Sequence, residues 1–451
     1  MSPPVFGQDP PSSERPVPLS IVRDSLPNGL HIIYTRVNEL PLVEWNLIIH
    51  AGAANDPAGK EGLAAMTAQV LLSDAPRGER PPIPATLAQL ASSMTTYAGA
   101  EYSQIYARSL ARHALQALDM LVEIARNPAL TPDAIREKAR VMQTGISSMN
   151  RGAGEAVTRA LLAGMYGPSH PAVRMSDMSS ATVNALTLDD VQRFHRTWYV
   201  PGNMTLIITG NVEYASLRDV IADRFANWAS GSLPISTATM PAHAPGMLLV
   251  VEDTPQQVVP MRVAIPGPAR NDPRATAYLV LNHILGEGRA SRLFRAFWGD
   301  RFIHPSFQSD ILFFRDASTI IVSGNAPVRL ADSVSTIVMG VVEAIAANGV
   351  TNEELASAKL ALAGTSMYEF TTNRKVQSLL QDAVTNAYDP MHITRFKQEV
   401  DAVTIADLQA IASELTASQK VWMAISGSLP ALHGASRTFF GERVREVART
   451  K

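Results

Sequence analysis

Residues 42–75 read LVEWNLIIHAGAANDPAGKEGLAAMTAQVLLSDA, and residues 258–288 read VVPMRVAIPGPARNDPRATAYLVLNHILGEG. Both run an apolar strand into a small turn ending Asn-Asp-Pro, and then into a helical pattern. Pro57 and Pro273 lie 216 residues apart. Two further matches follow in the same order. NPALTPDAIREKARVMQTGI (127–146) pairs with NGVTNEELASAKLALAGTSM (348–367), setting Thr131 against Thr351. LTLDDVQRF with NMTLIITGNV (within 186–212) pairs with VTIADLQAI with KVWMAISGSL (within 403–429), setting Gly210 against Gly427. A nearly constant offset of about 220 residues makes the chain a tandem of two halves. A period this long implies two whole domains rather than a solenoid.

Working outward, residues 30–36 and 42–50 run apolar or alternate as strands do. From 107 to 126 the apolar residues follow helical spacing, and Asn127-Pro128 stops that helix. Thr187 precedes Asp189 and Asp190, the signature of a helix start. MTLIITG (204–210) reads as a short buried strand. Each half is therefore expected to be α+β, with strands on one side and helices covering them. The expected division is an N-terminal arm over 1–19, a domain over 20–232, a linker over 233–246 and a second domain over 247–451. The linker is rich in Pro, Ser, Thr and Ala and almost free of charge.

Composition narrows the function classes. The 451 residues carry 39 Lys and Arg against 41 Asp and Glu, so no global field draws in nucleic acid or an anionic membrane. With no cysteine, disulfides, thiolate nucleophiles and Cys-based metal sites are excluded. The apolar run 334–347 is interrupted by Glu343, so no membrane span is expected. The proline-rich first 19 residues have neither a basic start nor an apolar core, and read as an arm rather than a signal peptide. The compartment stays open between bacterial periplasm and cytoplasm.

Local chemistry is sparse. No two of the ten histidines are three, four or five residues apart, so no helical or loop pair of imidazoles forms locally. GEGRAS (286–291) lacks the spacing of a phosphate loop, Gly-x-Ser-x-Gly does not occur, and no acidic calcium loop is present.

Three stretches carry a resemblance: LPNGLHIIYTR (26–36), HAGAANDPAGKEGLAAM (50–66) and FHRTWYVPGNMTLIITGNV (194–212). Together with GEGRASRLFRAF (286–297) and RDAST (315–319), they resemble the pitrilysin / mitochondrial processing peptidase family over about residues 20–430. Two halves in about 450 residues also resembles its bacterial and mitochondrial branch, and the resemblance implies that each homologous domain is an antiparallel-rich mixed sheet covered by helices. Catalytic members of that family carry His-x-x-Glu-His on a helix, two imidazoles binding zinc and the Glu activating its water, with a further Glu ligand about 75 residues on. Here Gly62-Leu63-Ala64 is followed by Ala65, Met66, Thr67, Ala68 and Gln69. The resemblance thus assigns the helical ligand positions to Ala65 and Gln69, the base position to Ala68, and the distal ligand to Thr144. It implies no catalytic residue, no metal and no cofactor in this chain.

In the second half, the family's substrate-gripping Arg and Tyr fall on Trp298 and Pro305. Arg292, Arg295 and Arg301 are nearby cations that would replace them, or are ion-paired surface residues. Gly286 and Gly288 occupy the place of a glycine-rich loop that meets substrate, or form a plain tight turn. The resemblance implies a non-catalytic subunit that pairs with a zinc-bearing paralogue carrying His-x-x-Glu-His, closes half of a substrate chamber and binds peptide as an added strand. The alternative it leaves is a structural or peptide-binding homologue, a homodimer or an assembly subunit like the core proteins of respiratory complex III. An active enzyme with an unrecognised site is the third reading.

Overall fold

The structure, a computed structural model, describes residues 19–37, 40–73, 83–149, 152–234, 245–251, 257–298, 307–368, 372–417, 420–427 and 439–448. Residues 1–18 of the expected arm (1–19) and 235–244 of the expected linker (233–246) lie outside these residues.

The N-terminal half builds a six-stranded sheet from β1 (Ile21–Ser25), β2 (His31–Arg36), β3 (Leu42–Ile49), β4 (Ser93–Ala98), β5 (Ser103–Leu110) and β6 (Met204–Gly210), in the order β1-β2-β6-β3-β5-β4. The C-terminal half builds a second from β7 (Leu248–Val251), β8 (Val258–Gly267), β9 (Gln308–Phe313), β10 (Ser318–Pro327), β11 (Trp422–Ser426) and β12 (Val444–Val447), in the order β12-β7-β11-β8-β10-β9. Five strands correspond one to one. In each half a parallel pair, β2–β6 or β7–β11, is followed by antiparallel strands. Only the sixth strand differs: β1 is antiparallel to β2, whereas β12 is parallel to β7. The expected α+β fold with two mixed sheets is what the chain adopts.

One element differs from its expected form. Residues 103–110 are strand, and the helix begins only at Ala114. Ala107 and Leu110 fit helical spacing, but Ile105, Ala107 and Ser109 alternate as a strand does and β3 offers Trp45 opposite Ala107, and that pairing outweighs local helical spacing.

Strand alternation sends side chains to two faces of each sheet, and both faces are covered. On one face of the first sheet, Ile32, Tyr34, Trp45, Leu47, Ile105, Leu206 and Ile208 meet the helices Leu63–Val70, Ala114–Arg126 and Leu188–Trp198. The equivalent face of the second sheet packs on the helices Ala275–Gly286, Ala331–Asn348 and Ile405–Ala417. The helix over Val328–Asn348 is long and apolar enough to cross a membrane. Its residues Val334, Val338, Val342 and Ile345 instead fill the second core.

The opposite faces are covered by exchange. The helix Ala153–Tyr166, from the first half, lays Val157, Leu161 and Met165 on Leu249, Ala264, Ile321 and Trp422 of the second sheet. The helix Asn373–Thr385, from the second half, lays Val376 and Leu380 on Ile33, Ile48 and Ile207 of the first. Polar contacts fix the register: Gln377 Nε2 donates to the Ile207 carbonyl (3.3 Å), and Asn46 Nδ2 donates to Gln381 Oε1 (2.8 Å). Gly164 is small for a reason, since a Cβ there would lie 2.7 Å from the Trp422 ring.

Candidate functional site

The helix Leu63–Val70 is set by the Asn-Asp-Pro turn that precedes it. Asp56, buried, accepts from the Gly62 amide (2.7 Å) and the Ala64 amide (2.8 Å), tying off two first-turn donors. Burial outweighs these bonds and pushes the Asp56 carboxyl up to about 6. Gly62 has φ +100°, a conformation that favours glycine, and its missing Cβ leaves room for Met178. On this helix Ala65 and Gln69 are half-buried one turn apart, while Ala68 is 1 % exposed. The helix Pro132–Met149 packs beside it and carries Thr144, exposed, whose hydroxyl donates to the Arg140 carbonyl (3.2 Å).

This donor set does not fit a zinc ion. Ala65 and Ala68 bear no donor atom, and one amide and one hydroxyl oxygen remain. Among the described residues no group of three or more His, Asp or Glu side chains is placed to hold a metal. What the helix does adjoin is a sheet edge. It packs against β4, which among the described residues pairs only with β5 and leaves Ser93, Thr95 and Tyr97 exposed.

The second-half positions assemble around a residue that the sequence reading missed. Arg292 donates through Nε to Glu354 Oε1 (2.8 Å), and through Nη2 to Glu354 Oε2 (2.7 Å) and the Gly349 carbonyl (2.8 Å). Arg295 Nη2 adds a bond to Glu354 Oε1 (2.8 Å). Glu354 also completes a capping box: its carboxylate accepts from the Thr351 amide, and its own amide donates to the Thr351 hydroxyl. The Arg292 guanidinium is the main cause that holds Glu354 down at about 2. The Thr-x-x-Glu spacing was a legible signal for the box; its arginine partners, about 60 residues away in sequence, were not.

Gly286 and Gly288 have different tasks. A Cβ on Gly286 would lie 2.6 Å from the Ser309 amide, so glycine there permits close packing on β9. Gly288 has φ +79° and no atom within 4 Å of an added Cβ, and its carbonyl accepts from the Ser291 hydroxyl (2.8 Å) as the turn enters the next helix. Trp298 is 67 % exposed and stacks on Phe294 with ring centroids 5.1 Å apart. Arg301 and Pro305 lie outside the described residues. The structure thus brings Arg292 and Arg295 together on one carboxylate, with Trp298 one turn further along.

Comparison with known proteins agrees with the geometry. An uncharacterized zinc protease of Mycobacterium tuberculosis is 24 % identical over 421 residues, covering 92 % of this chain and 94 % of that protein. A probable mitochondrial-processing peptidase subunit beta of Arabidopsis thaliana is 21 % identical over 268 residues, 58 % of this chain and 50 % of that one. Among solved structures, a peptidase M16 inactive domain from Pseudomonas fluorescens superimposes with a TM-score of 0.80 at 20 % identity, covering 91 % of this chain and 98 % of that one. A chain of Candida albicans complex III gives 0.77 at 16 % identity, covering 94 % and 100 %. Two family profiles match in sequence order, insulinase (peptidase family M16) over residues 33–173 and peptidase M16 inactive domain over residues 185–362. Together they take in more than two thirds of the 451 residues, and the chain belongs to peptidase family M16, with its N-terminal and C-terminal domains.

Proposed function

We propose that this chain is a non-catalytic subunit of a heterodimeric zinc metalloendopeptidase. It forms half of the substrate chamber and binds peptide for cleavage by a zinc-bearing partner that carries His-x-x-Glu-His. One observation supports the reading: Ala65, Ala68, Gln69 and Thr144, the positions to which the family resemblance assigns two imidazoles and two carboxylates, carry neither. The open edge of β4 beside that helix supports a retained peptide-binding role, since an extended peptide adds there through main-chain bonds alone.

The test is metal content. The purified chain, equilibrated with zinc and desalted, is expected to retain none in stoichiometric amount. The quadruple variant Ala65→His, Ala68→Glu, Gln69→His, Thr144→Glu is expected to retain one zinc per chain. Stoichiometric zinc on the unaltered chain would overturn the reading, and a quadruple variant that folds without binding zinc would overturn the placement of the four positions.

A second reading, a structural or peptide-binding homologue without a proteolytic role, is favoured by one observation. Among the described residues, the two arginines near the family's substrate-gripping positions, Arg292 and Arg295, both bond Glu354.

A further inference from the structure

Within the second half, a cavity of about 640 Å³ lies where the Asn-Asp-Pro turn enters the helix Ala275–Gly286. Its other lining comes from residues 388–403 and from the helix Ile405–Ala417. The volume is in the range that holds small organic ligands.

Arg270, on the turn, borders this cavity and is 8 % exposed. The Phe313 and Tyr388 rings lie 5.0 and 4.9 Å from its guanidinium carbon. Its Nη2 donates to His392 Nε2 (2.8 Å), so the proton of the neutral imidazole sits on Nδ1, 2.5 Å from Glu399 Oε2. Burial and the Arg270 charge push the His392 ring below its ordinary range, toward the neutral form that accepts this bond. The bond takes one of the five N–H donors of the guanidinium and supplies no counter-charge. Among the described residues Arg270 forms no ion pair with a carboxylate, which leaves a buried cation uncompensated.

The carboxylates that border the cavity are each held by another group. Asp272 and Glu414 pair with Arg274, and Asp389 pairs with Arg395 and Arg23. Glu399 is shared by His392 and Arg395, and Asp407 accepts from the Thr404 amide and hydroxyl. Arg270 also has no counterpart in the first half. The 216-residue offset sets it against Ala54, which is exposed. The Asn-Asp-Pro turn forms in both halves, so the turn itself does not require a buried guanidinium.

The lining selects the ligand. One uncompensated guanidinium calls for one negative charge. A dianion would meet five bordering carboxylates against three arginines, Arg270, Arg274 and Arg395, so a monoanion is favoured. Pro273, Ala277, Val403 and Ile411 also line the cavity and suit an apolar body. The helix Ala275–Gly286 adds the positive end of its dipole, since Thr276 and Ala277 border the cavity and Arg274 at the N-cap makes no capping bond.

From these observations we infer that the cavity binds a small monocarboxylate with an apolar body, its carboxylate held by Arg270. No residue of the helix Leu63–Val70 or of β4 lines the cavity, so the inference and the proposed function fail separately.

Titration calorimetry of the full chain with hexanoate tests it. Hexanoate is expected to bind one per chain, and inorganic phosphate is expected not to displace it. Hexanamide, of the same size without the charge, and the Arg270→Gln variant are each expected to weaken binding at least about tenfold. An unchanged far-UV circular dichroism spectrum checks that the variant folds. Where Arg270→Gln does not fold, Ala410→Phe takes its place: position 410 is exposed and borders the cavity, and occlusion is expected to weaken hexanoate by a similar factor. No binding of hexanoate, equal affinity for hexanamide, displacement by phosphate, or unchanged affinity in the folded variant would each overturn the proposal.

Discussion

At the scale of single residues, the duplication is written in small polar groups that start and stop elements. Thr131 and Thr351 accept from the amides of Ala134 and Glu354, each at 3.2 Å. Thr187 and Thr404 accept from the amides of Asp190 and Asp407, again at 3.2 Å. Gly210 and Gly427 end β6 and β11 with φ of 147° and 148°. These positions were legible because a cap needs only local chemistry. Thr187→Ala and Thr404→Ala are each expected to cost about 1 kcal/mol, read from denaturant midpoints. Glu354 gives a pH signature. Its carboxyl is depressed from an ordinary 4.5 to about 2, so its contribution is present above about pH 4.5 and lost as pH falls toward 2. Glu354→Gln is therefore expected to lower the melting temperature at pH 7, with the gap to the unaltered chain closing on acidification. A gap constant from pH 7 to pH 3 would refute that.

At the scale of elements, the reciprocal helices decide how the halves hold together. Without Asn373–Thr385, the first sheet would show water a face of Ile33, Ile48 and Ile207; without Ala153–Tyr166, the second would show Leu249, Ala264 and Trp422. Two fragments, 20–234 and 245–451, are expected to aggregate when made alone and to copurify when made together. A monodisperse 20–234 fragment would contradict this. Leu380→Ala, at a side chain with no exposed surface, is expected to cost about 2–5 kcal/mol in the whole chain. The exchange was not legible in the sequence. Amphipathic spacing says that the face of Val376 and Leu380 is buried, but nothing in the spacing says against which sheet. The β5 segment was misread for a related reason: Ala107 and Leu110 follow helical spacing while Ile105, Ala107 and Ser109 follow strand spacing, and only the pairing with β3 decides.

At the scale of the whole molecule, two sheets of matching order are each covered by a helix from the other half. The repeat in the sequence anticipated two halves of strands covered by helices, and the family resemblance implied their mixed sheets. The helix Leu63–Val70 after the Asn-Asp-Pro turn was legible too. The Arg292–Glu354 clamp and the cavity at Arg270 were not, because they are made by residues tens to more than a hundred positions apart. Under the proposed function, a chain without metal donors at Ala65, Ala68, Gln69 and Thr144 takes part in proteolysis beside a chain that has them. The direct test is the rate at which a zinc-bearing paralogue cleaves an unstructured peptide, measured with and without this chain. The account predicts a gain of about tenfold or more on mixing, about 1.4 kcal/mol of transition-state stabilisation. A paralogue equally active alone would contradict it.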